Sequence, residues 1–156
     1  LSTGARLRSV MTISKADINL QQDTILIKNH KANRTYTGFL HQNWKKLIED
    51  RMKELRPVDY IVSGTPNEIV RSVIGRNLQP LLEQFNEGID EADTKRRVVI
   101  HSLRHTFASL LAIQGTPIYT IMRLMDHADI SQTIRYAKLS ADSAKDSVKQ
   151  LAFKIK

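Results

Sequence analysis

HSLRHTFASLLAIQ, residues 101–114, sets two histidines and an arginine at the head of a long apolar run. His101 and Arg104 are three positions apart, and His101 and His105 are four apart. A helix therefore puts these side chains on one side, a turn apart. The stretch is either the polar edge of an ordinary helix or half of a chemical site. Its helical pattern stops at Gly115. Thr116 then reads as a cap, with Pro117 at the first position of a further helix, PIYTIMRLM. Asp129 is a cap for ISQTIRYAK, with Gln132 three residues on. Ser140 opens a last helix, where Ala144, Val148, Leu151 and Ile155 recur at helical steps on a lysine-rich background.

Toward the N-terminus, NEGIDEADTKRR (86–97) is polar enough to be a surface loop. NEIVRSVIGRNLQPLLEQF (67–85) is helical in pattern, with Gly75 and Pro80 expected to interrupt it. DYIVSG (59–64) has the composition of a short strand. HQNWKKLIEDRMKELR (41–56) is a strong helix, with Trp44, Leu47, Ile48, Met52 and Leu55 on one face and Pro57 to end it. TILIK and RTYTGFL, separated by the polar turn NHKAN, form a β-hairpin over residues 24–40. SKADINLQQD is a loop. The first dozen residues are helical in pattern, with Ser2 or Thr3 as cap and Leu7, Val10 and Met11 at helical spacing. The expected fold class is α+β, mainly α-helical, with a small antiparallel hairpin or three-stranded sheet.

The chain has 156 residues, 41% hydrophobic and 26% charged, which suits one domain with a real core. No stretch approaches the ~18 uninterrupted apolar residues of a membrane span. The absence of cysteine excludes disulfides, thiolate chemistry and cysteine-based zinc sites, and it suits a reducing cytosol. A net charge of +8 attracts polyanions, nucleic acid being the commonest, although charge also serves solubility. The chain opens at LSTGAR without an initiator methionine and is expected to be part of a longer protein.

Beyond residue 114, LMDHADISQTIRY places His127 nine residues before Tyr136. Taken singly these residues decide little. A helical histidine is usually a surface or satisfied core residue, and an isolated tyrosine usually packs. His101 and His105 have the i, i+4 spacing of a metal pair, but no HExxH or neighbouring carboxylate pattern accompanies them.

As an ordered set, HSLRHTFAS, LMDH and IRYAKL resemble the C-terminal signature of the tyrosine recombinases, the phage-integrase family: HxxRHT, then commonly LGH, then a nucleophilic tyrosine nine residues after that histidine. TGARLRS resembles the family's TGxRxxE and puts Arg6 at its first arginine, with Arg8 as competitor. TILIKNHKANRTYTGFL resembles the family's lysine-bearing hairpin and supplies Lys28, with Lys31 as its rival. Tyr36, Tyr60 and Tyr119 lack the nine-residue spacing, and His30 and His41 fit no pattern and are taken as surface residues.

The resemblance implies that the whole chain, 1–156, is a catalytic-domain fragment from which the family's N-terminal DNA-binding domain and the first helix of the catalytic domain are expected to be missing. It implies a transesterification. The Tyr136 oxygen attacks a DNA phosphodiester, giving a 3′-phosphotyrosyl link and a free 5′-hydroxyl, and a second strand's 5′-hydroxyl reverses the attack. Arg6 and Arg104 clamp the phosphate, His127 donates to a non-bridging oxygen, His101 is the base for Tyr136 and Lys28 the acid for the leaving oxygen. His105 is given a supporting role. Contacts to double-stranded DNA are expected from Arg6, Lys28, Lys31, Arg34, Arg104 and His127. No metal or cofactor is called for. The expected setting is the bacterial cytoplasm, integrating or excising a phage or other mobile element, as a tetramer on DNA, with the last helix docking on its own domain or on a neighbouring protomer.

Three departures from the family pattern stand out. Ser9 replaces the glutamate that usually steadies the first arginine, Asp126 replaces the glycine before His127 and adds a negative charge near the phosphate site, and the hairpin turn is one residue longer. The alternatives are a type IB topoisomerase, which shares the chemistry, and a non-enzymatic DNA-binding module or decayed recombinase.

Overall fold

The computed structural model describes residues 3–69 and 71–139. The expected last helix, with its stripe of Ala144, Val148, Leu151 and Ile155, lies outside the described residues.

The chain begins with a tight turn at Gly4, whose φ is +58°. A side chain there would be strained twice over. The left-handed backbone disfavours a Cβ, and the Cβ would meet the Phe107 ring. Helix α1 (Leu7–Met11) follows and is shorter than the sequence pattern suggests. Arg6 is its N-cap residue, with extended backbone and no capping side chain. Thr3 does not cap the helix. Its hydroxyl accepts from the Ala5 amide in the preceding turn, and Ser2 lies outside the described residues.

The loop expected at SKADINLQQD contains a single 3₁₀ turn, Lys15–Asp17, and a two-residue strand, β1 (Ile18–Asn19). Asp17 closes this turn by accepting from the Ser14 amide at 2.8 Å and the Ser14 hydroxyl at 2.7 Å. β2 (Thr24–Asn29) and β3 (Arg34–Phe39) form the expected hairpin, and the antiparallel sheet has the order β1-β2-β3. In β2 the alternation is clean: Ile25, Ile27 and Asn29 face inward, while Leu26 and Lys28 face out. DYIVSG forms no strand. Tyr60 bridges once to Ser14, and the residues after it turn. Its β-rich composition yields no more than this single bridge.

Helix α2 (Gln42–Lys53) forms as expected, capped by His41, whose Nδ1 accepts from the Asn43 amide at 3.2 Å. Its apolar face is largely open to solvent: Trp44 and Leu47 are exposed, and Ile48 alone of that face joins the sheet's core cluster. Helix α3 (Arg71–Glu83) runs unbroken through Gly75 and Pro80, contrary to expectation. Leu82 is buried and α3 packs against α4 (Ile100–Ile113), so tertiary contact holds the helix across one missing backbone hydrogen bond.

Helix α4 begins where the Ser102 hydroxyl accepts from the Val99 amide, and it ends before Gly115, whose φ is +78°. Pro117 is the N-cap residue of α5 (Ile118–Leu124), so the helix starts one residue later than the sequence suggests, and Thr116 is not its cap. ISQTIRYAK splits into α6 (Ser131–Ile134) and a 3₁₀ turn (Ala137–Leu139), with Tyr136 between them. The Asp129 carboxylate accepts from the Ser131 amide at 2.8 Å, but the N-cap residue of α6 is Ile130, so Asp129 stands one residue before the cap position expected for it.

Two apolar clusters organise the molecule. One joins α4, α5 and Tyr136 through Ala108, Ala112, Ile121 and Met125, and the other joins the sheet to Ile13 and Leu40. Ile27 and Ile121 are fully buried, each contributing about 1.5–3 kcal/mol by burial.

Candidate active site

Arg104 lies at the centre of the site. It projects from the second turn of α4 and is 5% exposed, which an arginine tolerates only when its nitrogens are satisfied. Nη1 donates to the Gly4 carbonyl at 2.6 Å and Nη2 to the Met125 carbonyl at 2.5 Å. One guanidinium thus ties the TGAR turn to the end of α5, and the required conformation of Gly4 aims its carbonyl at the arginine. Burial and the charge of Arg6 lower the Arg104 pKa, while Tyr36, Tyr136 and Asp126 oppose that shift. The guanidinium stays cationic throughout the physiological range.

Arg6 belongs to this neighbourhood and Arg8 does not. The Arg6 charge acts on His101, Arg104 and His127. Arg8 points to solvent and pairs with Glu68 at 3.2 Å. Ser9, where the family carries an acid, is buried in α1.

His127 follows α5 in a turn. Its Nδ1 is 2.7 Å from the Thr133 hydroxyl, and Thr133 is fully buried. Burial, then Arg104, Arg6 and Arg135, lower the His127 pKa to about 4, with Asp126 opposing. The ring is therefore neutral at pH 7, with Nε2 left to face an anion. His101, in the first turn of α4, is also held below its ordinary pKa, by partial desolvation and then by Arg104 and Arg6.

Tyr136 is 5% exposed and is part of the α4–α5 core cluster. Its hydroxyl lies 2.5 Å from Nδ1 of His105. Burial raises its pKa, and the charges of Arg135 and Arg104 pull it back. The phenol is therefore protonated at neutral pH and needs a base. His105 is held below its ordinary pKa by desolvation, then by His101, Arg135 and Arg104, which leaves it neutral and able to accept a proton. The His101 ring stands edge-on to it, with centroids 4.9 Å apart. Sequence reasoning gave the contact with the phenol to His101 and a supporting role to His105; the structure gives the contact to His105. The i, i+4 step marks both rings but does not say which one meets a tyrosine more than thirty residues away.

Two further residues were missed. Arg135 acts on Tyr136, His105 and His127, and its place beside Tyr136 was the available signal. Tyr36, on β3, is close enough to Arg104, Asp126 and Arg6 for their charges to act on its phenol, which burial raises. Only the packing of the hairpin against α5 could have revealed it.

The hairpin residues are placed differently. Lys28 is exposed on the outer face of β2, and Lys31 is exposed in the turn. Arg34 donates to the Asp126 carboxylate at 2.6 Å. His30 is half-buried rather than a free surface residue, with Nε2 2.7 Å from the Thr12 hydroxyl. Among the described residues no cluster of three or more histidine, aspartate or glutamate side chains could hold a metal ion, and no helix is long and apolar enough to cross a membrane.

The family model described as the phage integrase family matches residues 1–143. Tyrosine recombinase XerC of Bacillus pumilus (strain SAFR-032) is 24% identical over 150 residues, covering 91% of this chain and 48% of the relative. Tyrosine recombinase XerA of Saccharolobus solfataricus (strain ATCC 35092 / DSM 1617 / JCM 11322 / P2) is 27% identical over 146 residues, covering 94% and 45%. The chain spans about half the length of these curated relatives. Among solved structures, XerA recombinase superposes with a TM-score of 0.68 at 22% identity, covering 97% of this chain and 56% of that one. The catalytic domain of bacteriophage HP1 integrase gives 0.67 at 19%, covering 96% and 76%. The Tn1549 transposon integrase in complex with transposon right end DNA gives 0.70 at 17%, covering 97% and 56%. At these identities the structural likeness is one of fold.

Proposed function

Because the chain belongs to the phage integrase family, the tyrosine recombinases, we propose that it is the catalytic domain of a site-specific DNA recombinase that integrates or excises a phage or other mobile element. The observation that carries this reading is the convergence on Arg104 of Arg6, His101, His127 and Tyr136 from both ends of the chain, as one electrostatic group. An anion site built from two guanidinium groups and a neutral imidazole, next to a phenol paired with a base, suits attack on a phosphodiester.

In the proposed reaction the scissile phosphate lies against Arg6 and Arg104, which meet the charge that grows on the equatorial oxygens. His127 donates from Nε2 to a non-bridging oxygen, and its Nδ1 accepts from Thr133. The Tyr136 oxygen attacks phosphorus while its proton passes to the His105–His101 pair, and the bond to the 5′-oxygen breaks. Lys28 protonates that leaving oxygen. The phosphotyrosyl bond keeps the energy of the broken phosphodiester, so rejoining by a second 5′-hydroxyl needs no nucleotide. Lys31 extends the cationic surface along the duplex, while the expected contact from Arg34 is given up to Asp126. The chain acts on DNA in the bacterial cytoplasm, the parent protein assembling as a tetramer around two duplexes.

A nicked suicide duplex carrying the element's own site tests the proposal. The protein becomes covalently attached to the 3′ end, and the Tyr136→Phe variant does not. Attachment surviving in that variant would remove Tyr136 as nucleophile. Relaxation of supercoiled DNA without strand exchange would favour a topoisomerase.

A further inference from the structure

We infer that Asp126 is a positioning residue that pins the tip of the β2–β3 hairpin to the His127 turn and so sets where Lys28 stands. The inference rests on the recombinase reading for the role of Lys28, while the pin itself rests on geometry.

Asp126 ends α5 with φ +48°, a left-handed conformation. That explains why a glycine suits this position in the family, and aspartate is among the few side chains that tolerate it. The carboxylate is buried at 8% exposure, where an unpaired negative charge would be costly. Both oxygens are engaged by the hairpin. Oδ2 accepts from Nδ2 of Asn29, and Oδ1 accepts from Nη2 of Arg34 at 2.6 Å. Asn29 and Arg34 face each other as the last rung of the β2–β3 ladder, so one carboxylate grips both strands at the point where they part.

Asn29 extends the grip into the turn. It is 3% exposed, and its Oδ1 accepts from the amides of Lys31 and Ala32, both at 3.1 Å. The lengthened turn is therefore organised by the same side chain that holds Asp126. The next rung pairs Lys28 with Thr35. Fixing Asn29 on the inner face fixes the backbone of Lys28 on the outer face, one residue away. His127, the other neighbour of this junction, is covalently next to Asp126. The carboxylate thus couples the proposed proton donor to the anion site instead of repelling the phosphate, its charge being met by Arg34 and Asn29.

The test has two arms, run on the whole chain with Asp126→Gly, which relieves the backbone, and Asp126→Asn, which keeps the shape. In the first arm, amide hydrogen exchange of residues 28–35 is followed by NMR. At least tenfold faster exchange is expected in Asp126→Gly, with a smaller change in Asp126→Asn and residues 107–113 of α4 unaffected; unchanged exchange at the tip overturns the pin. The second arm compares cleavage of an ordinary phosphodiester with that of a 5′-bridging phosphorothiolate, whose thiolate departs without a proton. Asp126→Gly is expected to lose on the order of ten- to a hundredfold on the first substrate and little on the second, as Lys28→Ala does. Equal losses on both substrates overturn the link to Lys28. If the parent protein cleaves neither substrate, the recombinase reading fails, and the exchange arm still decides the pin.

Discussion

The pairing of Tyr136 with His105 makes the proton on the phenol the quantity to follow. Because His105 is held below its ordinary pKa, its basic form persists to lower pH than that of a free imidazole. The acidic limb of the cleavage rate against pH should therefore lie below about 6.5. His105→Ala should slow cleavage by roughly 10² and move or remove that limb, measured by single-turnover adduct formation between pH 5 and 8. Tyr36 supplies the control for the nucleophile, since the charge of Arg104 acts on it as it does on Tyr136. Tyr36→Phe should retain the adduct and Tyr136→Phe should lose it, read on a denaturing gel. At this scale the candidates were legible because their chemistry is carried by residue type and by short spacings: HxxR within one helix turn and His127 to Tyr136 across nine residues. The partner of the phenol was not legible, because that contact depends on how the 3₁₀ turn after Tyr136 packs on α4.

Among the elements, the Gly4 turn is the part whose loss should be felt farthest. It presents a carbonyl to Arg104 and lies against Phe107. Gly4→Ala should cost about 1–3 kcal/mol from the left-handed backbone and the displaced ring, measured by urea unfolding, with phosphate affinity falling alongside as Arg104 loses its tether. The hairpin, α2 and α4 could be read from the sequence because their periodicities are strong and their ends carry proline, glycine or capping signals. The short elements could not. The cap of α1 is a bare arginine with no side-chain hydrogen bond, the ISQTIRYAK helix breaks to place Tyr136, and DYIVSG has strand composition but makes only one bridge, at Tyr60. Helix α3 erred the other way, since packing against α4 outweighs the local penalty of Pro80.

For the whole molecule, the lowered imidazoles predict the direction of its acid sensitivity. His30, His101, His105 and His127 all have folded pKa values below those of the unfolded chain. As pH falls below about 6.5, the unfolded chain takes up protons that the folded chain refuses. Stability is therefore full above that pH and falls toward the His127 value of about 4. The melting temperature at pH 5 should lie below that at pH 7.5, and His127→Gln should flatten the difference; a pH-independent melt would contradict this. The net charge of +8 predicts salt-sensitive DNA binding. With Arg6, Lys28, Lys31 and Arg104 against phosphate, and Arg34 engaged by Asp126, log K should fall against log salt with a slope of roughly −3 to −4 in a gel-shift titration. Nanomolar affinity insensitive to salt would exclude such a surface.

Tyr136 has one more consequence, for inheritance. Its ring is part of the packing between α4 and α5, so the residue proposed to cut DNA also helps hold the domain folded. Most substitutions at this position would empty a filled space, at about 3–5 kcal/mol for a change to alanine. Phenylalanine alone would silence the chemistry and spare the fold. A lineage that lost its enzyme by random change at this codon would thus mostly lose the protein as well, and few inert copies would survive to compete for the same DNA sites.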